Sequence, residues 1–466
     1  MNLKAALIAT LLTLMLAACS GTRDLTASTI GTDMPERYEG TVADSLSYAD
    51  MQWWEIYTDR NLRFIIERTL LHNRDFLAAA SRIEELRLQY HTDRLNLAPE
   101  ISAGISAEQE RINYSGSPHT VGNTLDMTAN VAWEANLWGK QARQRRKSAN
   151  LYRASVEDCR ALQMSLIAEA ATTYFNLLAL DTQIAIVKQT LVTRREGLEQ
   201  ARLRYEGGLT SETVYQQAKV EYNSAAALIP SLENDLQSRL NALALLMGEF
   251  PGREIGMSHL YLNEGLPDTL LTGVPTDLLR RRPDVMAAEL RLKAAMDGVG
   301  ISYADRFPSI VVSLTGGWEN DSFGGFFRSL YGDFIGSITA PVFDFGRKKR
   351  AWQQAIQVYE QTRLAYEQCV IAAFVEVQDA VTAYHKARHT TSLMEELRDA
   401  ALKYVELSRL QYRGGMLHYL EVLDAQRQYF DAQIGFANAR RDQYLALVQV
   451  YKAVGGGSPD LLNLPK

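Results

Sequence analysis

Cysteine, histidine and long apolar stretches are scarce in this 466-residue chain, and each scarcity removes a class of function. Only three cysteines occur, Cys19, Cys159 and Cys369, too few for a disulfide framework or a cysteine-rich zinc site. Cys159 and Cys369 either pair in an oxidising compartment or remain buried thiols in helices, and the second reading is preferred. The seven histidines show no metal-ligand spacing, and no nucleophile–base constellation or phosphate-binding loop appears. The chain therefore reads as a non-enzyme without metal or cofactor. A formal net charge of −6 with 22% charged residues gives mixed solvated faces and no nucleic-acid partner. Beyond the N-terminal eighteen residues no apolar run approaches eighteen, which excludes helical membrane spans. A membrane role must then rest on strands or on an attached lipid.

The N-terminus supplies the second of these. Lys4 precedes an apolar run from Ala5 to Ala18, too short to span a bilayer and arranged as a secretory signal. Its end, Leu16-Ala17-Ala18-Cys19-Ser20, resembles a bacterial lipoprotein signal in which Cys19 becomes the lipidated first residue. The plainer alternative is a cleavable signal beside an incidental cysteine. Several acyl chains on one residue, at about 0.8 kcal/mol per buried methylene, hold a terminus to a membrane durably. Ser20 in place of an aspartate resembles the pattern for outer-membrane sorting.

What is abundant is repetition. Arg204-Tyr205-Glu206-Gly207-Gly208-Leu209 returns as Gln411-Tyr412-Arg413-Gly414-Gly415-Met416, 207 residues later. Trp138-Gly139-Lys140, with Arg143, Arg145, Arg146 and Lys147, returns as Phe345-Gly346-Arg347-Lys348-Lys349-Arg350 at the same offset. Ala98-Pro99-Glu100-Ile101 returns nearly in step as Phe307-Pro308-Ser309-Ile310. This is a duplicated architectural unit, far longer than a solenoid module. The boundaries read as a signal over 1–18, a tether over 19–55, a first copy over 56–250, a connector over 251–275, a second copy over 276–455 and a tail over 456–466.

Each copy has the same order. A helix is expected from Asp59 to Leu97, ended by Pro99. Strands follow at about 100–112 and 123–138, and in the second copy at about 308–320 and 332–345. Leu125, Met127, Ala129, Val131, Trp133, Ala135 and Leu137 face one way, while Asp126, Thr128, Asn130, Glu134 and Asn136 face the other. Ile101, Ala103, Ile105 and Ala107 supply the partner's apolar face. In the second copy Ile310, Val312, Leu314 and Trp318 form one apolar series, and Phe334, Ile338 and Val342 another. A half-buried sheet on a soluble core shows the same period. Length favours the membrane, since a tilted membrane strand needs about ten residues, and Trp138, Trp318, Phe343 and Phe345 lie near strand ends where interface aromatics sit. Four strands cannot close a barrel, so strands in lipid must be pooled between copies of the chain.

From Lys140 to Glu206 and from Arg347 to Arg413 there is no proline and little glycine, so each run of about 65 residues predicts roughly 100 Å of helix. Gly-Gly ends each run, and hairpins over 140–247 and 347–454 result. Thr210 or Ser211 is placed to cap the first returning helix, whereas Leu417-His418 offers no obvious cap. Pro230 predicts a kink in the first returning helix where the second has Ala437. The returning helices carry apolar seams through Ala218, Ala225, Leu236 and Leu243, and through Val422, Ala425, Ala432 and Ala439 with a second stripe over Leu423, Phe430, Tyr444, Val448 and Tyr451. Two stripes suit a helix with neighbours on both sides, as in a cylinder.

Several motifs, in order and at matching spacing, carry a family resemblance. They are Trp53-Trp54 with Asp59, Arg281-Arg282-Pro283-Asp284-Val285, Phe307-Pro308-Ser309, the run from Tyr419 to Gln426, and Tyr451-Lys452-Ala453-Val454-Gly455-Gly456-Gly457. Through them the chain resembles the TolC-type outer-membrane efflux ducts, in the lipoprotein branch serving resistance-nodulation-division pumps. The resemblance implies a mainly α fold with a β membrane section. Three chains would share four strands each in a twelve-stranded barrel, continued by helical hairpins as an α-barrel through the periplasm. It implies a passive duct for small toxic molecules, with a periplasmic adaptor and an inner-membrane pump as partners. Type I protein secretion on the same fold and a lipid-anchored periplasmic scaffold without a pore are the alternatives.

The resemblance also assigns roles. Leu420 and Asp424, with Glu421 one residue from Leu420, match the family's periplasmic constriction, where three carboxylates in a ring attract cations. A solvated or Arg427-paired Asp424 is the plainer reading. The repeat mates Gln217 and Val214 stand where relatives carry aspartate, leaving the acidic ring to the second copy. Tyr412 matches a tyrosine used in closed-state hydrogen bonds, although its usual partner position holds Leu417. Gly207, Gly208, Leu209 and Thr210, with Gly414, Gly415 and Met416, match the tips on which adaptor hairpins dock. Plain helix-turn chemistry also accounts for these glycines. Arg280-Arg281-Arg282-Pro283-Asp284 reads as a helix entry with salt bridges in preference to an anion patch.

Overall fold

A computed structural model describes residues 59–113, 120–252 and 278–456, with isolated positions Leu25, Pro35, Met51, Glu55, Leu266 and Leu270. The signal, Cys19, Trp53-Trp54, Pro267, Pro275 and Gly457 lie outside the described residues. The elements run α1 (Arg60–His72), α2 (Arg74–Leu95), β1 (Glu100–Ile112), β2 (Thr120–Glu134), α3 (Lys140–Glu206), α4 (Glu212–Ala226), α5 (Leu228–Leu246), α6 (Leu278–Arg281), α7 (Pro283–Ala304), β3 (Ser309–Asn320), a 3-10 turn (Phe323–Arg328), β4 (Leu330–Thr339), α8 (Arg347–Arg413) and α9 (Tyr419–Ala453). Two compact units result. One contains Met1–Thr29, Ser81–Val156 and Ala287–Gln368, and the other contains Ile30–Ala80, Glu157–Met286 and Cys369–Lys466.

The first unit holds a four-stranded antiparallel sheet in the order β1-β2-β3-β4. Its register aligns the alternating residues of all four strands. Ile101, Ala103, Ile105 and Ala107 sit opposite Val131, Ala129, Met127 and Leu125. Met127 and Val131 in turn sit opposite Trp318 and Leu314. Leu314, Ile310 and Trp318 meet Phe334, Ile338 and Leu330. Period two thus gives one continuous apolar face, and it is open: Ile105 is 80% exposed and Phe334 74%. The opposite face is polar. There Thr315 Oγ1 donates to Asn130 Oδ1 at 3.1 Å and Tyr331 Oη donates to Asp126 Oδ1 at 3.0 Å. β1 and β4 are the edges, so each presents a row of backbone donors and acceptors without a strand partner among the described residues.

β4 stops at Thr339, and Pro341 just beyond it has no N–H to donate to a ladder. Val342, Phe343 and Phe345 therefore follow the strand instead of continuing its alternation. Trp138, in the turn after β2, stacks on Phe307 at 4.9 Å and donates its indole N–H to Pro308 O at 2.5 Å.

The second unit is helical and packs around aromatic and branched side chains of α1, α3, α8 and α9. Leu62, Ile65, Ile66, Ile167, Tyr174, Leu177, Val377, Tyr384, Val448 and Val450 are fully buried. Each such side chain contributes roughly 1.5–3 kcal/mol. Phe175 stacks on Tyr444 at 4.9 Å. The returning helices bury Ala218 and Ala225, and Val422, Ala425, Ala432, Ala437 and Ala439, small residues that let neighbouring helices approach closely. Cys159 and Cys369 form no disulfide. Burial, with some help from Asp158, pushes the Cys159 thiol up to about 11, so it stays protonated and inert at neutral pH.

Two expectations need correction. The single helix over Asp59–Leu97 is two helices, divided at Asn73, whose ψ of 126° is extended. Asn73 Oδ1 accepts from Asp75 N and Phe76 N at 3.1 and 3.0 Å, a cap that an asparagine makes better than it fills a helix interior. The first returning helix is also divided, not merely kinked. The break falls at Ala227, because Pro230 has no N–H for the carbonyl of Ala226. Its repeat mate α9 runs 35 residues without interruption.

The duplication reaches a joint that the motifs did not reveal. At the end of the first copy Asn73 Nδ2 donates to Leu246 O at 3.0 Å. At the end of the second, Arg282 Nη1 donates to Ala453 O at 3.0 Å. Gly248 (φ 66°) and Gly455 (φ 99°) lie beside these contacts, each against the preceding backbone, His72 O and Arg281 O respectively. A side chain at either glycine would be strained by its φ and blocked by that carbonyl.

Candidate functional site at the hairpin tips

The tips are built by identical backbone chemistry. In the first, Gly208 N donates to Tyr205 O at 2.9 Å and Leu209 N to Arg204 O at 2.8 Å. In the second, Gly415 N donates to Tyr412 O at 3.0 Å and Met416 N to Gln411 O at 2.9 Å. This pairing closes a helix end around a left-handed residue, here Gly208 (φ 71°) and Gly415 (φ 76°). Leu209 and Met416 are each 73% exposed. Gly207 and Gly414 are exposed, and Thr210 is half-buried. Ser211 and His418 occupy the N-cap positions of α4 and α9, and neither makes a side-chain cap hydrogen bond.

The tips meet at a cleft of about 400 Å³ lined by residues including Arg204, Leu209, Val214, Tyr412, Tyr419 and Leu420. Arg204 Nη1 donates to Tyr412 Oη at 2.5 Å, and its guanidinium lies 5.6 Å from the Tyr412 ring centre. Tyr412 therefore has a partner supplied by the first copy instead of by position 417. Tyr412 and Tyr419 rings are 5.3 Å apart. A Cβ at Gly197 would lie 2.6 Å from the Tyr419 hydroxyl, so glycine there admits the ring between α3 and α9. Burial, followed by the neighbouring Tyr412, raises the Tyr419 hydroxyl pKa, so that group is neutral at physiological pH.

Asp424 and Glu421 lie on α9 outside the cleft lining. Asp424 is half-exposed and bound within its own helix: Arg427 Nη2 donates to Oδ1 at 2.5 Å and Gln428 Nε2 to Oδ2 at 2.7 Å. Glu421 is exposed in the first turn. Leu420 is 38% exposed and borders the cleft. Further along, Arg194 is buried, donates to Glu221 O at 2.6 Å, pairs with its carboxylate at 3.2 Å and lies 5.1 Å from the Phe430 ring centre. It pins α3, α4 and α9 together. Burial lowers the Arg194 pKa, and Glu221 opposes that effect. Arg204 and Arg194 were not singled out from the sequence. Reading the repeat as a table of mates, Arg204 against Gln411 and Arg194 against Ala401, would have marked both as departures.

No helix among the described residues is long and apolar enough to cross a membrane, and no group of three potential metal ligands occurs among them. The profile described as outer membrane efflux protein fits residues 65–249 and 274–456, both copies of the repeat. The chain belongs to the outer membrane efflux protein family. It is 30% identical over 410 residues to the solvent efflux pump outer membrane protein SrpC of Pseudomonas putida, covering 86% of this chain and 87% of that one. It is 29% identical over 445 residues to outer membrane protein OprJ of Pseudomonas aeruginosa, covering 91% of each. Among solved structures, the open-state MtrE outer membrane channel of Neisseria gonorrhoeae superposes with a TM-score of 0.80 at 26% identity, over 91% of this chain and 96% of that one. This efflux protein is thus an outer-membrane component of an efflux pump, with a TolC-like fold that extends into the periplasm.

Proposed function

We propose that this efflux protein is a homotrimeric, passive duct that carries small toxic molecules from a periplasmic adaptor and an inner-membrane resistance-nodulation-division pump to the exterior. The observation that carries the reading is the sheet. It is apolar over one face, mostly polar over the other, and open at both edges among the described residues. Each unpaired backbone group in lipid costs several kcal/mol, so strands from other copies must close the edges. Solvents, the cargo for which SrpC is named, belong to the class of molecule such a duct passes. Selection is left to the pump.

In this reading Cys19 carries the lipid that anchors the N-terminus. The exposed tips Gly207–Thr210 and Gly414–Met416 receive the adaptor. Leu420, Glu421 and Asp424 narrow the periplasmic end, and the Arg204–Tyr412 bond holds the tips together in the closed state. The test is direct. Full-length protein extracted in mild detergent should run as a heat-modifiable trimer and pass current in planar bilayers, and its deletion should sensitise cells to small toxic compounds. A monomer that passes no current would support a periplasmic scaffold instead. Unchanged drug sensitivity with a secretion defect would support protein export.

A further inference from the structure

Val342-Phe343-Asp344-Phe345-Gly346 joins β4 to α8, and it is a rigid presentation of apolar side chains. Val342 is 95% exposed, and Phe343 and Phe345 are 77% each. The two rings meet edge-on, 4.6 Å apart. Asp344 fixes the turn: Oδ1 accepts from Gly346 N at 2.9 Å and Oδ2 from Lys348 N at 2.8 Å. Phe345 has a φ of 55°, a conformation that a bulky residue adopts only when its surroundings impose it. The chain therefore accepts local strain to hold two phenylalanines outward, next to an apolar sheet face. That is costly in water and favourable at a bilayer boundary.

Immediately after this turn come Arg347, Lys348, Lys349 and Arg350, all exposed. No acidic residue occupies that first turn of α8. Cations at a helix N-terminus oppose the helix dipole, and among the described residues the Asp344 cap is the one carboxylate at this turn to offset four of them. The first copy begins α3 with the same basic composition but answers it internally. Lys140 pairs with Asp305 at 2.7 Å and Arg146 with Asp297 at 3.0 Å. Arg143 packs over Gly300, where a Cβ would meet its guanidinium. In the second copy Lys348 borders a cleft that also holds Glu134, Asp305 and Lys140. Arg347 Nε donates to Asp344 O at 3.2 Å, and neither it nor Lys349 or Arg350 makes a salt bridge among the described residues. At 1.5 Å rise per residue, the four cations sit within about 5 Å along the helix axis, a single depth beside the aromatic turn.

We infer that this segment is an anionic-lipid site. Phe343 and Phe345 seat in the boundary of the periplasmic leaflet, and Arg347, Lys349 and Arg350 bind the phosphates of acidic phospholipid headgroups there. The inference rests on the outer-membrane placement of the sheet and adds a lipid preference to it. Charge complementarity and continuity with the apolar sheet face select a lipid surface over a soluble anion.

The experiment uses the full-length protein in nanodiscs of phosphatidylcholine, alone or mixed with phosphatidylglycerol, with lipids retained after detergent extraction counted by mass spectrometry. The wild type should retain phosphatidylglycerol over phosphatidylcholine by about ten-fold, and the triple variant R347S/K349S/R350S should fall to about parity. Removing three exposed cations elsewhere, K219S/R239S/K386S, should leave the preference in place. Equal preference in wild type and triple variant overturns the site, as does equal loss in the control variant. Displacement by inorganic phosphate as effective as by phosphatidylglycerol vesicles reduces it to a generic anion patch. Loss of the heat-stable trimer in the triple variant reassigns the cations to a contact between copies. A wild type that fails to enter nanodiscs at all rejects the membrane placement itself.

Discussion

The two copies of the repeat meet the same structural demand with different chemistry. Where each returning helix ends, its last carbonyl is bound by a side chain that precedes the next helix: a neutral amide in the first copy (Asn73 to Leu246 O) and a guanidinium in the second (Arg282 to Ala453 O). Arg282 is further held by Asp284 at 2.6 Å and Glu376 at 2.7 Å, while Asn73 has no charge to neutralise. The tips differ in the same way. Their glycine-closed turns match bond for bond, yet Arg204 faces Tyr412 while Gln411 stands at its mate's place. Asp424 and Glu421 replace Gln217 and Val214. Backbone geometry is shared and polar chemistry is not. In the proposed trimer each repeat position occurs six times, twice in each of three chains, and a function can rest on only three of them.

The largest test of that contrast is at the joint. Arg282→Ala leaves a buried carbonyl and two carboxylates without their cation and should cost about 3–5 kcal/mol. Asn73→Ala removes one neutral hydrogen bond and a cap and should cost about 1–3 kcal/mol. Thermal inactivation of the detergent-solubilised protein ranks the two, and equal losses would erase the distinction. Next comes the proline. Ala437→Pro, placing in α9 the break that α4 and α5 already contain, should cost about 3 kcal/mol, because Ala437 is buried in a continuous helix. Pro230→Ala should change stability by about 1 kcal/mol or less.

A smaller effect belongs to the tip glycines. Gly208→Ala and Gly415→Ala should each cost about 1–2 kcal/mol for a left-handed residue, and about equally, since both turns have the same bonds. The smallest effect is a pH dependence confined to the second copy. Burial alone would raise the Asp284 carboxyl, but the hydrogen bonds and charge of Arg282 hold it below the usual carboxylate range. Its stabilisation is therefore present above the unfolded-state carboxylate pKa and is lost as pH falls through the lower folded value, below about pH 4. Asp284→Asn should flatten the decline in melting temperature over that range, partly muted because Asp284 is solvent-accessible.

Much of this architecture was legible in the sequence because it follows from periodicity. Alternation in Leu125–Trp133 and Ile310–Trp318 gave the apolar face, and the 67-residue helices α3 and α8 follow from runs without proline. Pro230 marked the break in one returning helix, since a missing N–H acts locally. Periodicity places Asn73 inside one helix; its cap on Asp75 and Phe76 is local, but the contact of its Nδ2 with Leu246 O, far along the chain, leaves no trace in periodicity. Arg194, Arg282 and Arg204 act through partners 27, 171 and 208 residues away, and periodicity carries no trace of such contacts. The repeat offset does carry one. Asn73 and Arg282 fall at the offset of 209 that also relates Pro99 to Pro308.

Single-channel conductance of the purified full-length protein, compared between Asp424→Ala and its repeat mate Gln217→Ala, tests the division between the copies most directly. Asp424→Ala should raise conductance and weaken block by divalent cations, with Gln217→Ala leaving both unchanged. Unaltered conductance and block in Asp424→Ala, or an equal effect at Gln217, would contradict the assignment of the gate to the second copy.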